Sequence, residues 1–234
     1  MTPSQPMLCY ITDRRTLASG DVIPMVLAAI EAGVDLIQIR EKDLGTRNLL
    51  RVVEAAVQGV RKRAVCAAST RGLTRVVVND RLDVALAAEA GGVHLGGRSM
   101  QTDPVRAVVP PPEDFWVGVS CHSPADVAAA EAAGADYALL GPIFETASKL
   151  AYGLPLGIGI LERATRHTRI PVLALGGITL ERARPCIEAG AAGIAGISIF
   201  QQCTSLTERV LQLRQELRKG VPPATSASGR PNFC

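Results

Sequence analysis

The segment Glu31-Ala-Gly-Val-Asp35 decides the fold, because close variants of it return three times along the chain. They are Glu89-Ala-Gly-Gly-Val93, Ala132-Ala-Gly-Ala-Asp136 and Glu188-Ala-Gly-Ala-Ala192. In each copy a helix-like stretch ends at glycine, and the chain then turns directly into a short apolar run. A connection from helix to strand that is repeated in this way predicts βα units with parallel strands.

Eight short apolar runs are the strand candidates, and longer helix-like stretches lie between them. The runs are Leu8–Thr12, Leu36–Arg40, Arg75–Val78, Gly92–Leu95, Trp116–Ser120, Tyr137–Leu140, Pro171–Leu175 and Gly193–Ile197. Ser123 and Thr179 stand where helix N-caps are expected. The pattern predicts an α/β protein with a single-domain TIM (βα)8 barrel, although the sequence alone also allows an open doubly wound sheet.

Length and composition agree with one barrel domain. The chain has 234 residues, of which 47% are hydrophobic and only 3% aromatic, and this aliphatic bias suits helices packed on a buried parallel sheet. We assign residues 1–219 to the catalytic domain. We expect residues 220–234, which are rich in Pro, Ser and Gly, to be a disordered tail.

The same features exclude several classes of partner and place the protein in the cytoplasm. A net charge of +3 is too small to argue for a nucleic acid or a membrane surface. No apolar stretch approaches the roughly 18 residues of a membrane span, and residues 1–7 lack the pattern of a secretion signal. The six cysteines show no C-x-x-C spacing, so we interpret them as reduced thiols.

A cluster of polar residues interrupts the apolar run Leu36-Ile-Gln-Ile-Arg-Glu-Lys42 at alternate positions. In a strand, Gln38, Arg40 and Lys42 would lie on one side and Glu41 on the other. An amide and two cations that converge in this way suit a polyanion such as a pyrophosphate. The alternative is a strand end whose long side chains simply reach into water.

Other polar residues follow the remaining strands, at the end of the sheet where parallel α/β folds bind ligands. They are Asn79-Asp80, Gly96–Ser99, Ser120, His122, Thr146, Ser148, Lys149, Gly176-Gly177 and Ser198. Asn79-Asp80 could equally cap the next helix, and His122 taken alone is better explained as a helix-entry residue. The paired glycines favour a phosphate over a plain turn, whereas we interpret His94 and His167 as structural.

These motifs resemble, in order from about residue 8 to about residue 200, the thiamine phosphate synthase and thiazole tautomerase superfamily. The motifs that carry the resemblance include Gln38-Ile-Arg-Glu-Lys42, Val78-Asn-Asp-Arg81, Gly92-Val-His-Leu-Gly96, Thr146-Ala-Ser-Lys149 and Ala174-Leu-Gly-Gly-Ile178. Each motif is weak alone, and the ordered set is specific. The resemblance implies a TIM barrel that acts in thiamine biosynthesis.

In a synthase of this superfamily, a pyrimidine methyl pyrophosphate loses pyrophosphate and the nitrogen of a thiazole phosphate attacks the cationic carbon. The resemblance implies that Gln38 contacts the pyrimidine substrate and that Asp80 holds Mg²⁺. The residues implied to contact the pyrophosphate or nearby groups are Arg40, Lys42, Asn79, Ser120 and Lys149. Those implied to surround the thiazole phosphate are Thr146, Ser148, Gly177, Ile197 and Ser198.

One position departs from the synthase pattern. Synthases typically carry a second metal-binding aspartate after the fourth strand, where this chain reads Gly96-Gly97-Arg98-Ser99. Serine there resembles the tautomerase branch, which aromatises a thiazole carboxylate phosphate without metal and in which His122 would transfer the proton.

Thiamine phosphate synthase is therefore the first interpretation, with Mg²⁺ as cofactor and with Arg40, Lys42, Lys149 and His122 as candidate catalytic residues. Thiazole tautomerase is the second interpretation, and a non-catalytic barrel that binds thiazole phosphate is the third. The expected partners are small phosphorylated substrates, not nucleic acid or a membrane. The sequence leaves open whether the chain forms a homo-oligomer.

Overall fold

A computed structural model describes residues 5–67, 74–97, 99–110, 114–146 and 154–220. Ser148, Lys149 and the predicted tail beyond residue 220 lie outside the described residues.

Eight parallel strands form a closed barrel in the order of the chain. They are β1 (Met7–Ile11), β2 (Leu36–Ile39), β3 (Arg75–Asn79), β4 (Gly92–Leu95), β5 (Trp116–Cys121), β6 (Tyr137–Leu140), β7 (Val172–Leu175) and β8 (Gly193–Gly196). β1 pairs with both β2 and β8, which closes the sheet on itself. The predicted TIM barrel is confirmed, and each predicted strand lies within one residue of the observed one at either end.

Helices on the described part of the chain alternate with the strands. They are α1 (Ile23–Ala32), α2 (Thr46–Ala67), α3 (Leu82–Ala87), α4 (Thr102–Arg106), α5 (Pro124–Ala132), α6 (Ile158–Arg166), α7 (Leu180–Glu188), α8 (Ser198–Gln201) and α9 (Leu206–Lys219). Within this part of the chain, no helix is both long and apolar enough to cross a membrane.

The repeated glycines explain why the connections from helix to strand are so short. Gly33, Gly134 and Gly190 follow α1, α5 and α7, and all three adopt a left-handed backbone with φ of 82°, 84° and 88°. A residue with a Cβ would be strained in that conformation, whereas glycine ends the helix and turns the chain within one residue. In all three cases the next strand begins three residues after the glycine.

The apolar residues form two layers, one inside the barrel and one between the barrel and its helices. The inner layer is small and includes Cys9, Leu36, Val77, Leu139 and Leu173. The outer layer is larger and joins the opposite faces of the strands to the buried faces of the helices. Because alternate residues of each strand face the interior, polar residues at the last interior positions lie at the C-terminal mouth of the barrel.

Candidate active site

The mouth of the barrel brings together candidates that are far apart in sequence. Gln38 lies in β2, Asn79 ends β3, and Ser120 lies near the end of β5. These strands and their connecting loops form one side of the mouth, while the loops after β6, β7 and β8 form the other side. The candidate residues therefore fall into two groups, one on each side of the mouth.

Three side chains form a continuous chain of hydrogen bonds on the first side. Gln38 Nε2 donates to Asn79 Oδ1 at 2.9 Å, and Asn79 Nδ2 donates to Asp80 Oδ2 at 2.8 Å. An ionised carboxylate can only accept, so Asp80 fixes the orientation of the Asn79 amide, and Asn79 fixes that of Gln38. Gln38 Oε1 is left buried with no partner among the described residues, and it is available to accept from a ligand.

Asp80 is held in an unusual backbone conformation by its surroundings. Its φ is 61°, in the left-handed region that residues other than glycine rarely adopt. Its Oδ1 accepts from the Ser99 hydroxyl and from the Gly96 N–H, the latter at 3.2 Å. Asp80 does not cap the next helix, because Arg81 occupies the N-cap position of α3. The alternative capping role for Asp80 is therefore wrong.

The carboxyl group of Asp80 stays ionised at neutral pH. Burial raises its pKa, but hydrogen bonds from Ser99, Gly96 and Asn79 and the positive charge of Lys42 together place the pKa below the ordinary value of 3.8. The residue is nevertheless exposed to solvent. It therefore places an accessible carboxylate anion directly after β3.

Arg40 and Lys42 lie just beyond β2, which ends at Ile39 and not at the predicted Arg40. The strand stops there because the Arg40 N–H donates to Thr12 Oγ1 at 2.9 Å instead of to the ladder. Lys42 is exposed. Glu41, which lies between Arg40 and Lys42, is buried, and its Oε1 and Oε2 accept from the Arg14 N–H at 3.1 and 3.0 Å. Glu41 thus fixes a neighbouring loop, while the two cations remain available to an anion.

His94 is the residue at the mouth whose contacts the sequence did not reveal. It is buried in β4, where Nε2 lies 2.9 Å from Ser120 Oγ and Nδ1 lies 3.0 Å from the Tyr137 hydroxyl. Burial lowers the pKa of His94 to about 3, so the imidazole is neutral. A polar residue on an interior strand position, two residues before Gly96, was the signal in the sequence.

His122 has a different environment at the start of α5. Its side chain is exposed, and Nδ1 lies 2.6 Å from the Gly141 carbonyl oxygen, which can only accept. Nδ1 therefore carries a proton, and Nε2 is the nitrogen left for exchange with a ligand.

The second side of the mouth is built from backbone. Gly176 and Gly177 both have positive φ, at 98° and 65°, and they lead into α7, whose N-cap is Thr179. The Gly177 N–H has no acceptor among the described residues. Thr146 Oγ1 is buried and likewise has no partner within the described chain. A backbone N–H that precedes a helix N-terminus, as that of Gly177 does, suits a phosphate.

Ile197 and Ser198 complete the second side. Ile197 is the N-cap of α8, and Ser198 is the first residue of that short helix, with an exposed side chain. They follow β8, which is adjacent to β7 in the barrel, so they lie on the same side of the mouth as Gly177.

The residues present fit a magnesium ion that shares its coordination with a substrate. Among the described residues, no three His, Cys, Asp or Glu side chains come together as a metal site. Asp80 offers an ionised hard oxygen, because its Oδ2 accepts only one hydrogen bond among the described residues, while Oδ1 accepts from Ser99 Oγ and the Gly96 N–H. Mg²⁺ often binds through one or two carboxylates together with substrate phosphates and water, and a single carboxylate is sufficient for that arrangement.

A separate cavity of about 330 Å³ lies beside the loops that follow β1 and β2. Arg14, Asp21, Asn48 and Arg51 are among the residues that line it. None of the predicted site residues lines this cavity. The mouth of the barrel, not this cavity, is therefore the candidate active site.

Comparison with known proteins shows the family of this chain. The family model described as thiamine monophosphate synthase matches residues 8–200. The chain belongs to the thiamine monophosphate synthase family. All the described candidate residues at the mouth lie within the matched range.

Curated relatives from this family are similar over most of their length. The putative thiamine-phosphate synthase of Geobacter sulfurreducens is 42% identical over 191 residues, which cover 82% of this chain and 84% of the relative. The thiamine-phosphate synthase of Chlorobium luteolum is 38% identical over 212 residues, which cover 91% of this chain and 93% of the relative.

Solved structures show the same architecture. The thiamine phosphate pyrophosphorylase of Pyrococcus furiosus superposes with a TM-score of 0.78 at 29% identity, and the match covers 92% of this chain and 97% of that one. The 3-hexulose-6-phosphate synthase of Salmonella typhimurium has a TM-score of 0.61 at 18% identity, over 92% and 99% of the two chains. The second likeness shows the fold alone.

Proposed function

We propose that this protein is a Mg²⁺-dependent thiamine phosphate synthase. It joins hydroxymethylpyrimidine pyrophosphate and thiazole phosphate to give thiamine phosphate and pyrophosphate. The hydrogen-bonded chain from Gln38 through Asn79 to the ionised Asp80 carries the proposal. It connects a buried acceptor for the pyrimidine to an anionic ligand for the metal.

In the reaction, the bond between the pyrimidine methylene carbon and the pyrophosphate oxygen breaks, and the electron pair leaves with pyrophosphate. The thiazole nitrogen then donates its lone pair to the cationic carbon and forms the new C–N bond. No proton has to be removed, so a general base is not needed. The protein must hold the two substrates in line and stabilise the charge on the leaving pyrophosphate.

The first side of the mouth supplies the groups for pyrophosphate departure. Gln38 Oε1 would accept from an N–H donor of the pyrimidine and so orient the ring. Arg40 and Lys42 would bind pyrophosphate oxygens, and Asp80 would hold Mg²⁺. When bound, the ion would neutralise negative charge that develops on the leaving group.

The second side supplies the groups for the thiazole phosphate. The Gly177 N–H and the buried Thr146 hydroxyl have no hydrogen-bond partner among the described residues, which supports an anion between the loops after β6 and β7. Ile197 and Ser198 would complete that subsite. Two further residues are proposed on the basis of the sequence alone. Ser148 would bind the thiazole phosphate, and Lys149 would bind the pyrophosphate.

Substitution of Asp80 tests this proposal against a matched neighbour. Asp80→Asn should slow Mg²⁺-dependent synthesis by on the order of a hundredfold or more, because it removes the anionic metal ligand. Asp83→Asn is the control, since Asp83 is an exposed carboxylate nearby whose partner is Arg81, with an N–O distance of 2.6 Å. Equal effects of the two substitutions would rule out Asp80 as the metal ligand.

Thiazole tautomerase is a second candidate function, and the position of Ser99 supports it. The residue stands where synthases typically carry a second metal-binding aspartate, and it hydrogen bonds to Asp80 instead. In that reaction the free Nε2 of His122 would carry the proton. A tautomerase would keep its activity in the presence of a chelator and lose it with His122→Ala, which is the reverse of the result expected for a synthase.

A further inference from the structure

We propose that His94 is a positioning residue which, together with Tyr137, directs the Ser120 hydroxyl proton into the active site, toward an oxygen of the pyrophosphate. The inference deepens the proposed function, because it rests on a pyrophosphate bound next to Ser120. Its core is a chain of three side chains, one from each of the neighbouring strands β4, β5 and β6.

The geometry of the chain spans two strand spacings inside the barrel. His94 on β4 is 1% exposed and is 2.9 Å from Ser120 Oγ on the adjacent strand β5. Its other ring nitrogen is 3.0 Å from the Tyr137 hydroxyl on β6, which is not adjacent to β4. A direct contact between His94 and Tyr137 therefore has to pass over β5.

Gly118 makes this contact possible. It is the β5 residue that pairs in register with both His94 and Tyr137. A Cβ at position 118 would overlap the Tyr137 ring. The absence of a side chain thus leaves the space in which the Tyr137 ring crosses β5 and reaches His94.

The direction of the hydrogen bonds follows from which groups hold protons. A tyrosine hydroxyl carries one proton, and a buried donor of this kind needs an acceptor. Within the described chain, the acceptor for that proton is His94 Nδ1. Nδ1 therefore accepts, Nε2 carries the proton, and Nε2–H donates to Ser120 Oγ.

This direction leaves the Ser120 proton for the ligand. Ser120 Oγ has no partner other than His94 among the described residues. Because His94 donates to it, the hydroxyl proton is free to donate into the mouth. In the opposite tautomer the Tyr137 proton would be buried without an acceptor, which is costly, and Ser120 would turn its own proton toward His94.

The tautomer can be observed directly by 15N NMR of protein labelled at its histidines. The chain has three histidines, so the ring signals are few, and a His94→Gln variant identifies those of His94. We expect the proton of His94 on Nε2 in the wild type and an altered tautomer balance in Tyr137→Phe. A proton on Nδ1 in the wild type would overturn the proposal.

Binding of inorganic pyrophosphate with Mg²⁺, measured by calorimetry, tests the consequence without using catalysis. Ser120→Ala should weaken binding about tenfold or more, and Tyr137→Phe severalfold. In the Ser120→Ala background, Tyr137→Phe should have no further effect, because the hydroxyl that it orients is gone. Additive effects of the two substitutions would contradict the positioning role.

Tyr10→Phe is the matched control for the loss of a buried phenol. Tyr10 is also completely buried, but its hydroxyl has no partner among the described residues, and it belongs to the outer apolar layer. The Tyr10→Phe substitution should therefore leave pyrophosphate binding unchanged. Tyr137→Phe keeps its ring, so the space over Gly118 stays filled and the fold is retained.

Failure of this inference can be distinguished from failure of the proposed function. If the predicted tautomer and the non-additive binding are found but the wild type makes no thiamine phosphate, the proposed function is wrong and the positioning role stands. If the wild type makes thiamine phosphate while the two substitutions act additively, the positioning role is wrong. If the wild type binds no pyrophosphate, both are wrong.

Discussion

Gly177 and Gly20 offer a matched pair of substitutions for the phosphate subsite on the second side of the mouth. Both glycines have a φ of 65°, so alanine is strained equally at each position by its backbone conformation. They differ in their surroundings. A Cβ at position 177 would lie 2.5 Å from the Glu145 carbonyl oxygen and 2.8 Å from Phe144 Cβ, whereas a Cβ at position 20 would have no atom within 4 Å.

The two variants should therefore differ in stability by the cost of that close contact. The left-handed backbone costs alanine about 1 kcal/mol at either position. Overpacking at position 177 adds about 1–3 kcal/mol, because backbone atoms of the neighbouring loop have to move. Gly177→Ala should thus lower the free energy of unfolding by about 1–3 kcal/mol more than Gly20→Ala. Urea denaturation of both variants measures this difference.

The same displacement should weaken the binding of one substrate selectively. The residues that would move, Phe144 and Glu145, immediately precede Thr146 in the proposed thiazole phosphate subsite. We expect Gly177→Ala to weaken thiazole phosphate binding about tenfold or more and to leave pyrimidine pyrophosphate binding nearly unchanged. Calorimetry with each ligand tests this. Equal losses for both ligands, or equal destabilisation by the two substitutions, would refute the reasoning.

Three further substitutions test the first side of the mouth. Arg40→Ala should slow synthesis by on the order of a hundredfold or more through the loss of a charge-assisted contact to the leaving group, and unchanged kinetics in a folded variant would remove Arg40 from the mechanism. Ser99→Asp should lower the Mg²⁺ concentration needed for half-maximal synthesis, because it places a second carboxylate beside Asp80; an unchanged requirement would count against a metal there. His122→Ala should leave synthesis largely intact in steady-state assays, and loss of most activity would favour the tautomerase.

Much of the fold could be predicted from local sequence signals. The buried aliphatic runs predicted the strands, and the glycines after α1, α5 and α7 predicted the short connections, because both effects act over a few neighbouring residues. The end of β2 at Ile39 was missed because it depends on a distant residue. The Thr12 hydroxyl takes the Arg40 N–H and so ends the ladder.

The candidate site was predictable in its members but not in its connections. Positions at strand ends identified Gln38, Asn79 and Asp80, whereas the hydrogen bonds that join them depend on the register between strands. The contact between His94 and Tyr137 was missed for the same reason. The contact requires the space over Gly118. Only the register of β4, β5 and β6 shows that this space lies between His94 and Tyr137.

The most direct test of the account is to supply purified protein with hydroxymethylpyrimidine pyrophosphate and thiazole phosphate and to measure thiamine phosphate. Parallel reactions contain Mg²⁺ or a chelator, and the isomerisation of thiazole carboxylate phosphate is followed in a separate sample. We predict thiamine phosphate and an equal amount of pyrophosphate with Mg²⁺, and little product with the chelator. No thiamine phosphate at saturating Mg²⁺, together with metal-independent isomerisation, would contradict the central claim.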